Sequence, residues 1–299
     1  MTLIKLYAII IRYTIQLRKI TRRMIMKIVN VKKVTGVVAA GAMLISTLAG
    51  CGNTDAANNN SENAELLATI KERGTIIFAM EGQWAPWTYH DESGNLVGYD
   101  TEVGKAIAEK LGVEAQFIEG EWDGLFAGLD GGRYDAIIHG VEITDLRKEK
   151  YDFTTPYAYI RTALVVKDDN SDITTFEDLK GKKTSNSLGS TYADLAAEYG
   201  ADVQNVDTLS ETIDMVLSGR VDATLNAEVS FYDYLSEHPD APIKIVALTD
   251  EASEVSVPLR KGDETKTLRE AMDKAIAELA ADGTLSELSN KYFGQDISK

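Results

Sequence analysis

Cysteine is almost absent from this chain, because Cys51 is the only one among its 299 residues. A single cysteine allows no internal disulfide bond and no zinc site built from several thiolates. Histidine is nearly as scarce, and the three histidines, at positions 90, 139 and 238, are too far apart in sequence to match a metal-binding motif. The chain also lacks the Gly-x-Ser-x-Gly elbow, the phosphate-binding loop ending in Gly-Lys-Ser/Thr and the His-Glu-x-x-His motif. These absences argue against an enzyme, and we expect no metal and no cofactor.

Basic side chains are sparse after the first fifty residues. Nine of the 31 Lys and Arg residues, but none of the 47 Asp and Glu residues, lie before Cys51. If that segment is removed, 22 basic side chains face 47 acidic ones, and the net charge becomes −25. A protein this acidic does not bind nucleic acid without a concentrated basic patch, and the sequence contains none. The surplus of acidic groups favours solubility.

The first fifty residues have the composition of an export signal. Their nine basic residues are accompanied by an uncharged and mostly apolar run from Val34 to Ala49. A basic region, a short apolar region and small residues before a cysteine predict a secretory signal peptide at residues 1–50. The alternative, a transmembrane helix, requires about 20 apolar residues, which is more than this run provides. A suitable signal also begins at Met24 or Met26. The alternative is therefore that translation starts at one of these methionines and that residues 1–25 are not part of the protein.

The end of the apolar run, Leu48-Ala49-Gly50-Cys51, resembles a bacterial lipobox. The resemblance implies that Cys51 is lipidated and becomes the first residue of the mature protein, which its lipid would hold on the extracytoplasmic face of the cell membrane. Residues 51–65 are rich in Asn, Ala and Ser and nearly devoid of large apolar side chains. Such a composition predicts a flexible tether between the lipid and a folded domain.

Strand and helix patterns alternate through the rest of the chain. Thr75 to Ala79 predicts a strand, apolar residues at helical spacing between Val103 and Leu111 predict a helix, and Val113 to Ile118 predicts a second strand. Alternation of this kind favours βαβ units and a parallel sheet. The phrase Gly132-Arg133-Tyr134-Asp135-Ala136 is echoed by Gly219-Arg220-Val221-Asp222-Ala223, each after an amphipathic helix. The echo indicates two similar α/β lobes.

The chain is expected to cross twice between these lobes. Extended runs at 159–167 and 248–260 are the candidate crossings, and the helical pattern after the second run predicts a return to the first lobe. We therefore expect lobe 1 at residues 66–161 and 255–299 and lobe 2 at residues 162–254. A small ligand would bind in the cleft between the two lobes.

The stretch from Tyr134 to Tyr157 has the clearest features of a binding site. A short apolar strand, Ala136 to Ile138, runs into a glycine turn, and Thr144 can then cap a one-turn helix that contains Arg147. Free backbone N–H groups, hydroxyls and a guanidinium in one place suit the binding of a small carboxylate. The spacing alone also fits a plain strand–turn–helix in which Arg147 is a solvated surface charge.

These residues resemble those of a known family. A turn ending in Ile143-Thr144-x-x-Arg147, followed by Tyr151-Asp152-Phe153-x-x-Pro156-Tyr157, is similar to the bacterial extracellular solute-binding proteins of family 3, the polar amino-acid receptors of ABC importers. The likeness extends from about Lys71 to about Phe293. It implies a two-lobed periplasmic-binding-protein type II fold of the α/β class, with a central, mainly parallel sheet flanked by helices in each lobe. It also implies a monomer that works with permease and ATPase subunits.

The resemblance assigns ligand contacts to four side chains of the first lobe. In the family, the loop that corresponds to Glu81-Gly82-Gln83-Trp84-Ala85-Pro86-Trp87 lines the cleft, so Glu81 would meet an ammonium group, and Trp84 and Trp87 would contact the ligand. Trp122 matches a further aromatic position and could add cation–π attraction. The alternative is that the loop tryptophans only pack over the lobe.

The resemblance also implies a carboxylate site to which both lobes contribute. Arg147 would hold the α-carboxylate bidentately, with contacts from Gly140 and Glu142. Because Ser or Thr is usual at the Glu142 position, and a carboxylate there would repel that of the ligand, Glu142 is expected to offer its N–H or to meet a cationic part of the ligand. On the second lobe, Ser190 and Thr191 lie at a helix N-terminus. Thr191 matches a carboxylate contact of the family, and a plain helix cap is the alternative.

The chain departs from the family pattern at Ala227. An Asp that pairs with the ammonium of the ligand is usual at this position, and Ala227 is followed by Glu228. Three explanations stay open at this point. Glu81 takes the role alone, Glu228 is redirected into the cleft, or the ligand is not a simple α-amino acid.

The leading hypothesis is a binding protein that captures a polar amino acid between closing lobes and presents it to a permease. Similarity around Tyr151–Phe153, Leu188–Tyr199 and Val221–Leu225 favours cystine or a related sulfur amino acid as the ligand. The alternative is an enzyme similar to cyclohexadienyl dehydratases, in which Glu81 or Glu142 would supply the catalytic acid. A sensor domain of a membrane receptor is a third, less favoured alternative.

Overall fold

The structure, a computed structural model, describes residues 65–299. The predicted signal peptide at residues 1–50, the predicted lipid attachment site Cys51 and all but the last residue of the predicted tether lie outside the described residues. Among the helices of residues 65–299, none is both long enough and apolar enough to cross a membrane.

The described chain alternates between helices and strands, as the sequence patterns predict. Its helices are α1 (Leu66–Arg73), α2 (Tyr99–Leu111), α3 (Trp122–Asp130), α4 (Asp145–Lys150), α5 (Thr191–Glu198), α6 (Leu209–Leu217), α7 (Glu228–Glu237), α8 (Asp263–Ala281) and α9 (Thr284–Phe293). Its strands are β1 (Thr75–Met80), β2 (Tyr89–His90), β3 (Leu96–Val97), β4 (Glu114–Glu119), β5 (Ala136–Ile137), β6 (Tyr151–Phe153), β7 (Ala158–Ile160), β8 (Thr162–Lys167), β9 (Lys183–Asn186), β10 (Asp202–Asn205), β11 (Ala223–Ala227), β12 (Ile243–Leu248), β13 (Ser253–Val255) and β14 (Pro258–Arg260).

The first lobe is built on a parallel sheet in the order β4-β1-β5. Apolar side chains of the central strand β1 are buried on both faces, as is usual for a parallel sheet covered by helices. Phe78 packs on one face with Val103 of α2 and Met272 of α8, whereas Ala79 joins a smaller cluster that includes Leu125 of α3. Because β1 and β5 are parallel neighbours, their carboxyl ends lie at the same edge of the sheet.

The second lobe contains a five-stranded sheet in the order β10-β9-β11-β8-β12. Strands β10, β9 and β11 are parallel, and β8 is antiparallel to its two neighbours, β11 and β12. The sheet is thus mainly parallel, as expected, with β8 as the exception. On one face, Val165 of β8 packs with Ile213 of α6 and Phe231 of α7. Helix α5 covers the other face of the sheet. Its Ala196 and Leu225 of β11 belong to the same large apolar cluster as Phe78 of the first lobe.

Two short antiparallel ladders accompany the two sheets, and the second of them contacts β5 of the first lobe. Strand β7 pairs with β13, with Tyr159 opposite Glu254, and β6 pairs with β14, with Asp152 opposite Leu259. The chain passes from β7 into β8 and returns from β12 into β13 alongside it. Beyond β14, helices α8 and α9 pack against α2 of the first lobe. A pair of short crossing strands is the kind of connection about which two lobes can close.

Candidate functional site

A cavity lies between the two lobes at the carboxyl ends of the strands. Only about 50 Å³ of it is accessible to the centre of a water molecule, so the cleft is almost filled by its own side chains in this arrangement. Eight of the ten ligand contacts predicted from the sequence line this cavity. They are Glu81, Trp84, Trp122, Gly140, Glu142, Arg147, Ser190 and Thr191.

The structure places the other two, Trp87 and Glu228, outside the cavity lining. Trp87 is fully buried behind Trp84, with the two rings stacked at 5.1 Å between centroids, so it supports the cavity wall. Glu228 is buried in the first turn of α7, where both of its carboxylate oxygens accept hydrogen bonds from Arg161 at 2.7 and 3.1 Å. That ion pair, which also raises the pKa of Arg161, fixes the carboxylate beside the first crossing strand and away from the cavity.

Arg147 projects from α4 towards the cavity and the second lobe. Thr144 caps this helix, because its hydroxyl accepts a hydrogen bond from the Arg147 N–H at 3.2 Å, as the sequence predicts. The guanidinium lies 5.3 Å from the ring centroid of Trp122, and its Nη1 donates to the main-chain carbonyl of Glu142 at 2.8 Å. Burial lowers the pKa of Arg147, and the nearby Glu142 carboxylate opposes that effect. Arg147 is therefore a partly desolvated, positioned cation.

Glu81 and His139 form a pair on the floor of the cavity. The Glu81 Oε2 atom lies 2.5 Å from Nε2 of His139, whose other ring nitrogen, Nδ1, is buried without a hydrogen-bond partner among the described residues. His139 thus contacts Glu81, the predicted ammonium-binding acid. Its proximity could have been inferred only from its place one residue before the glycine turn.

Asp100 lies directly beneath this pair. Its carboxylate is fully buried and accepts hydrogen bonds from the Tyr157 hydroxyl and from the Gly140 N–H, both at 2.7 Å. Burial raises the pKa of Asp100 to about 7, whereas the Tyr157 hydrogen bond and the nearby His139 lower it. Asp100 therefore ties α2 to the turn that carries Gly140.

Gly140 adopts a backbone conformation that favours glycine, with φ at +53°. A Cβ atom at this position would also meet the Trp84 ring, which lies across the turn. The glycine turn thus places the indole of Trp84 against the main chain and turns Glu142 towards the second lobe.

The second lobe contributes side chains that sequence reasoning missed. Asn186 and Tyr192 are buried in the cavity wall, and Asn186 Oδ1 and the Tyr192 hydroxyl have no hydrogen-bond partner among the described residues. Burial and the nearby Glu142 carboxylate raise the pKa of Tyr192. Ser190 is a helix N-cap, since its hydroxyl accepts from the Ala193 N–H at 3.1 Å. The remaining lining residues of this lobe are Ser187, Asp207, Leu209, Thr212 and Asn226.

Within residues 65–299, direct hydrogen bonds join the lobes across or beside the cavity. They run from Trp84 Nε1 to Asn226 Oδ1 (3.1 Å), from Trp87 Nε1 to Ser230 Oγ (3.2 Å), from Thr191 Oγ1 to Glu142 Oε1 (2.6 Å) and from Arg147 Nη2 to the Gly189 carbonyl (3.2 Å). The structure is therefore a closed arrangement of the two lobes. Residues 65–299 contain no cluster of His, Cys, Asp and Glu that could hold a metal ion.

Two α/β lobes joined by paired crossing strands, with a polar cavity closed between them, define a two-lobed solute-binding protein. The profile of the family described as "Bacterial extracellular solute-binding proteins, family 3" matches residues 76–295. The chain belongs to this family, which confirms the resemblance and the type II fold inferred from the sequence. The protein therefore acts outside the cytoplasm.

Named relatives and solved structures agree with this assignment. The chain is 38% identical over 258 residues to the L-cystine-binding protein TcyA of Bacillus subtilis (strain 168), covering 85% of this chain and 95% of that protein. An ancestral arginine-binding protein bound to arginine is 38% identical, with a TM-score of 0.69 and coverage of 74% of this chain and 99% of that one. These relatives are binding proteins, so this chain is a solute-binding protein and not an enzyme.

A third comparison bears on the arrangement of the lobes. The L-cystine solute receptor of Neisseria gonorrhoeae in the unliganded open conformation is 39% identical, covering 78% of this chain and 99% of that one. Its TM-score is only 0.54, although its sequence is as similar as that of the arginine-bound protein. A closed lobe arrangement in the present structure accounts for this difference, in agreement with the hydrogen bonds between the lobes.

Proposed function

We propose that this protein is the receptor of an ABC importer that captures a polar amino acid by lobe closure and delivers it to the permease and ATPase subunits. The observation that carries the proposal is the position of Arg147, a partly desolvated guanidinium on the first lobe that faces the N-terminus of α5 on the second. A carboxylate bound there would be held by both lobes at once. Ligand binding would thereby stabilise the closed state.

The donors available to such a carboxylate support this assignment. A guanidinium has five N–H groups, and within residues 65–299 Arg147 uses two of them, for the carbonyls of Glu142 and Gly189. The others can bind a carboxylate in the planar geometry that lysine cannot provide. Thr191, the first residue of α5, adds a hydroxyl where the helix dipole favours negative charge.

Glu81 is the proposed partner of the ligand's ammonium. Ala227 presents only a fully buried methyl group at the position where the family usually has an Asp, and the neighbouring Glu228 is engaged by Arg161. Glu81 lines the cavity and keeps part of its side chain accessible. Its Oε2 atom lies 2.5 Å from Nε2 of His139, and this contact fixes the position of the carboxylate in the cavity. Of the three explanations for Ala227, we favour the one in which Glu81 acts alone.

Cystine is the proposed ligand among the polar amino acids. Two of the relatives described above are named for L-cystine, and both are 38–39% identical to this chain over most of its length. The closed cleft has only about 50 Å³ of accessible space, so the lobes must open for a ligand of this size to enter. The indole faces of Trp84 and Trp122 offer apolar surface for the disulfide-containing middle of the molecule.

We further propose that the mature protein is a monomer tethered to the outer face of the cell membrane by a lipid on Cys51, with lobes at residues 66–161 with 255–299 and at 162–254. The support is the Leu48-Ala49-Gly50-Cys51 quartet after an apolar run, followed by a polar tether. Changing Cys51 to Ala should release the protein from the membrane fraction. A variant that stays membrane-bound after an alkaline wash would contradict the lipid anchor.

Calorimetry on Arg147→Ala tests the proposed function. A thermal-shift screen first identifies the amino acid that stabilises the protein, since a ligand at about 100 times its Kd adds about 2.7 kcal/mol. Removing the guanidinium leaves the ligand's carboxylate unpaired in a closed cleft, so binding should weaken by about 2–5 kcal/mol. Lys148→Ala is the matched control, because it removes one positive charge from the exposed side of the same helix. If Arg147→Ala binds that amino acid as tightly as the wild type does, the proposal is wrong.

A further inference from the structure

Glu142 occupies an unusual place for a carboxylate in a site that binds carboxylates. Its side chain is only 5% exposed, lines the cavity and accepts a hydrogen bond from the Thr191 hydroxyl at 2.6 Å. Glu142 belongs to the first lobe and Thr191 begins helix α5 of the second, so this contact joins the two lobes. The Arg147 guanidinium donates to the main-chain carbonyl of the same residue, Glu142.

The surroundings of this side chain are those of an anion site. A helix N-terminus, a hydroxyl and a nearby guanidinium all favour a negative group. The Arg147 pKa responds to the Glu142 carboxylate, and so does that of the buried Tyr192. Two carboxylates cannot share such a site without strong repulsion, because like charges at close range disfavour each other. The Glu142 carboxylate and a ligand carboxylate therefore compete for the Thr191 hydroxyl and for the positive charge of Arg147.

The main chain of Glu142 connects this contact to the crossing strands. Glu142 forms an antiparallel bridge with Val255 of β13, and the Ile143 N–H donates to the Glu254 carbonyl at 2.8 Å. Strand β13 is one of the two strands that link the lobes. The Glu142 side chain therefore contacts the second lobe while its main chain is bonded to the connection about which the lobes close. The contact is thus well placed to influence the balance between open and closed states.

We propose that Glu142 is an internal substitute for the ligand's carboxylate, which holds the cleft closed through Thr191 when no ligand is bound and must be displaced when a ligand enters. The proposal rests on the function proposed above, and it adds a residue that sets affinity and selectivity. Only a ligand whose anionic group binds Arg147 and Thr191 better than Glu142 does can occupy the site. The closed, ligand-free state then reduces the fraction of protein that can accept a ligand.

The intrinsic fluorescence of the protein reports directly on this closure. All three tryptophans of the chain lie at or behind the cavity, and Trp84, only 8% exposed, donates to Asn226 of the other lobe. Opening of the cleft would expose the Trp84 indole to water. The emission maximum and the quenching by acrylamide therefore measure the open fraction in the purified full chain without any ligand.

The test compares Glu142→Thr and Glu142→Gln with the wild type. Glu142→Thr introduces a residue that is usual in the family, and Glu142→Gln keeps the shape and an acceptor for Thr191 while removing the charge. In the absence of ligand, we expect red-shifted and more quenchable emission for Glu142→Thr, with Glu142→Gln between it and the wild type. Glu121→Gln is the matched control, because Glu121 is an exposed carboxylate next to Trp122, outside the cavity lining and without a side-chain capping bond.

Calorimetry with L-cystine, and with the amino acid that stabilises the protein most in the thermal screen, completes the test. Glu142→Thr should bind roughly 5- to 150-fold tighter than the wild type, the usual range for coupling between a conformational equilibrium and a ligand. Ligand-free emission of Glu142→Thr identical to that of the wild type would overturn the proposal. Weaker binding by both variants would also overturn it, because Glu142 would then serve a cationic part of the ligand. If even the wild type binds no amino acid, the proposed function fails, while the ligand-free emission still decides the role of Glu142.

Discussion

Replacing Gly140 with Ala tests how the glycine turn shapes the cavity. The backbone at this residue has φ at +53°, where an L-residue with a Cβ costs roughly 1–2 kcal/mol. The added Cβ would in addition lie 2.7 Å from Cη2 of Trp84 and closer still to Cζ3 of that ring. Because the ring is backed by Trp87 at 5.1 Å, it cannot retreat without disturbing buried side chains. Overpacking of this kind costs about 1–3 kcal/mol.

The two terms together predict that Gly140→Ala lowers the free energy of unfolding by about 2–5 kcal/mol. Displacement of the Trp84 ring should also break its hydrogen bond to Asn226, which joins the lobes at 3.1 Å. The loss of one such bond costs about 1 kcal/mol. Because the bond exists only when the lobes are closed, its loss destabilises the closed state relative to the open one. Ligand affinity should therefore decrease together with stability.

Urea unfolding and calorimetry measure the two effects, and Gly219→Ala provides the matched control. Gly219 has φ at +69°, but a Cβ there meets no atom within 4 Å, so only the backbone cost applies. The difference between the variants isolates the collision with Trp84. If Gly140→Ala is no less stable than Gly219→Ala and binds ligand normally, the reasoning about Trp84 is refuted.

The same structure makes three shorter predictions. Glu81→Gln should weaken binding of amino acids strongly and of their deaminated analogues little, and equal losses for both would exclude Glu81 as the ammonium partner. Glu228→Gln should leave affinity nearly unchanged but lower stability, because Arg161 loses a buried ionic partner; calorimetry and urea unfolding separate the two effects. Since burial raises the pKa of Asp100 from 3.8 to about 7, its contribution to stability is fully present below pH 4 and is lost as pH rises to 7. Asp100→Asn should remove that decline, of up to about 1.4 kcal/mol per pH unit, and an unaltered pH profile of unfolding would contradict the assignment.

Local patterns account for what could be predicted from the sequence. The helix that contains Arg147 is capped by Thr144 three residues earlier, and both the cap and the short strand before it depend only on neighbouring residues. The alternation of strands and helices likewise follows from the spacing of apolar residues, and it led to the correct fold class. The family motif between Ile143 and Tyr157 was specific enough to place the chain in its family, as the profile match confirms.

The partners of the charged side chains depend on contacts between distant parts of the chain. The sequence alone did not determine whether the Glu228 side chain points into the cleft or away from it. It pairs with Arg161, 67 positions away, because α7 begins beside the first crossing strand. Trp84 and Trp87 lie in the same loop, and the sequence predicts the same role for both. In the fold, the Trp87 ring is buried behind that of Trp84.

The cavity itself was decided only by the tertiary structure. Asn186 and Asn226 carry no local signal of function, because Asn186 is simply the last residue of one strand and Asn226 the last but one of another. They become part of a site when the second sheet brings its strand ends opposite the first. Glu142 was recognised as a departure from the family, but its bond to Thr191 could not be foreseen. A hydrogen bond between residues 49 positions apart, on different lobes, is set by how the lobes close and not by the sequence around either residue.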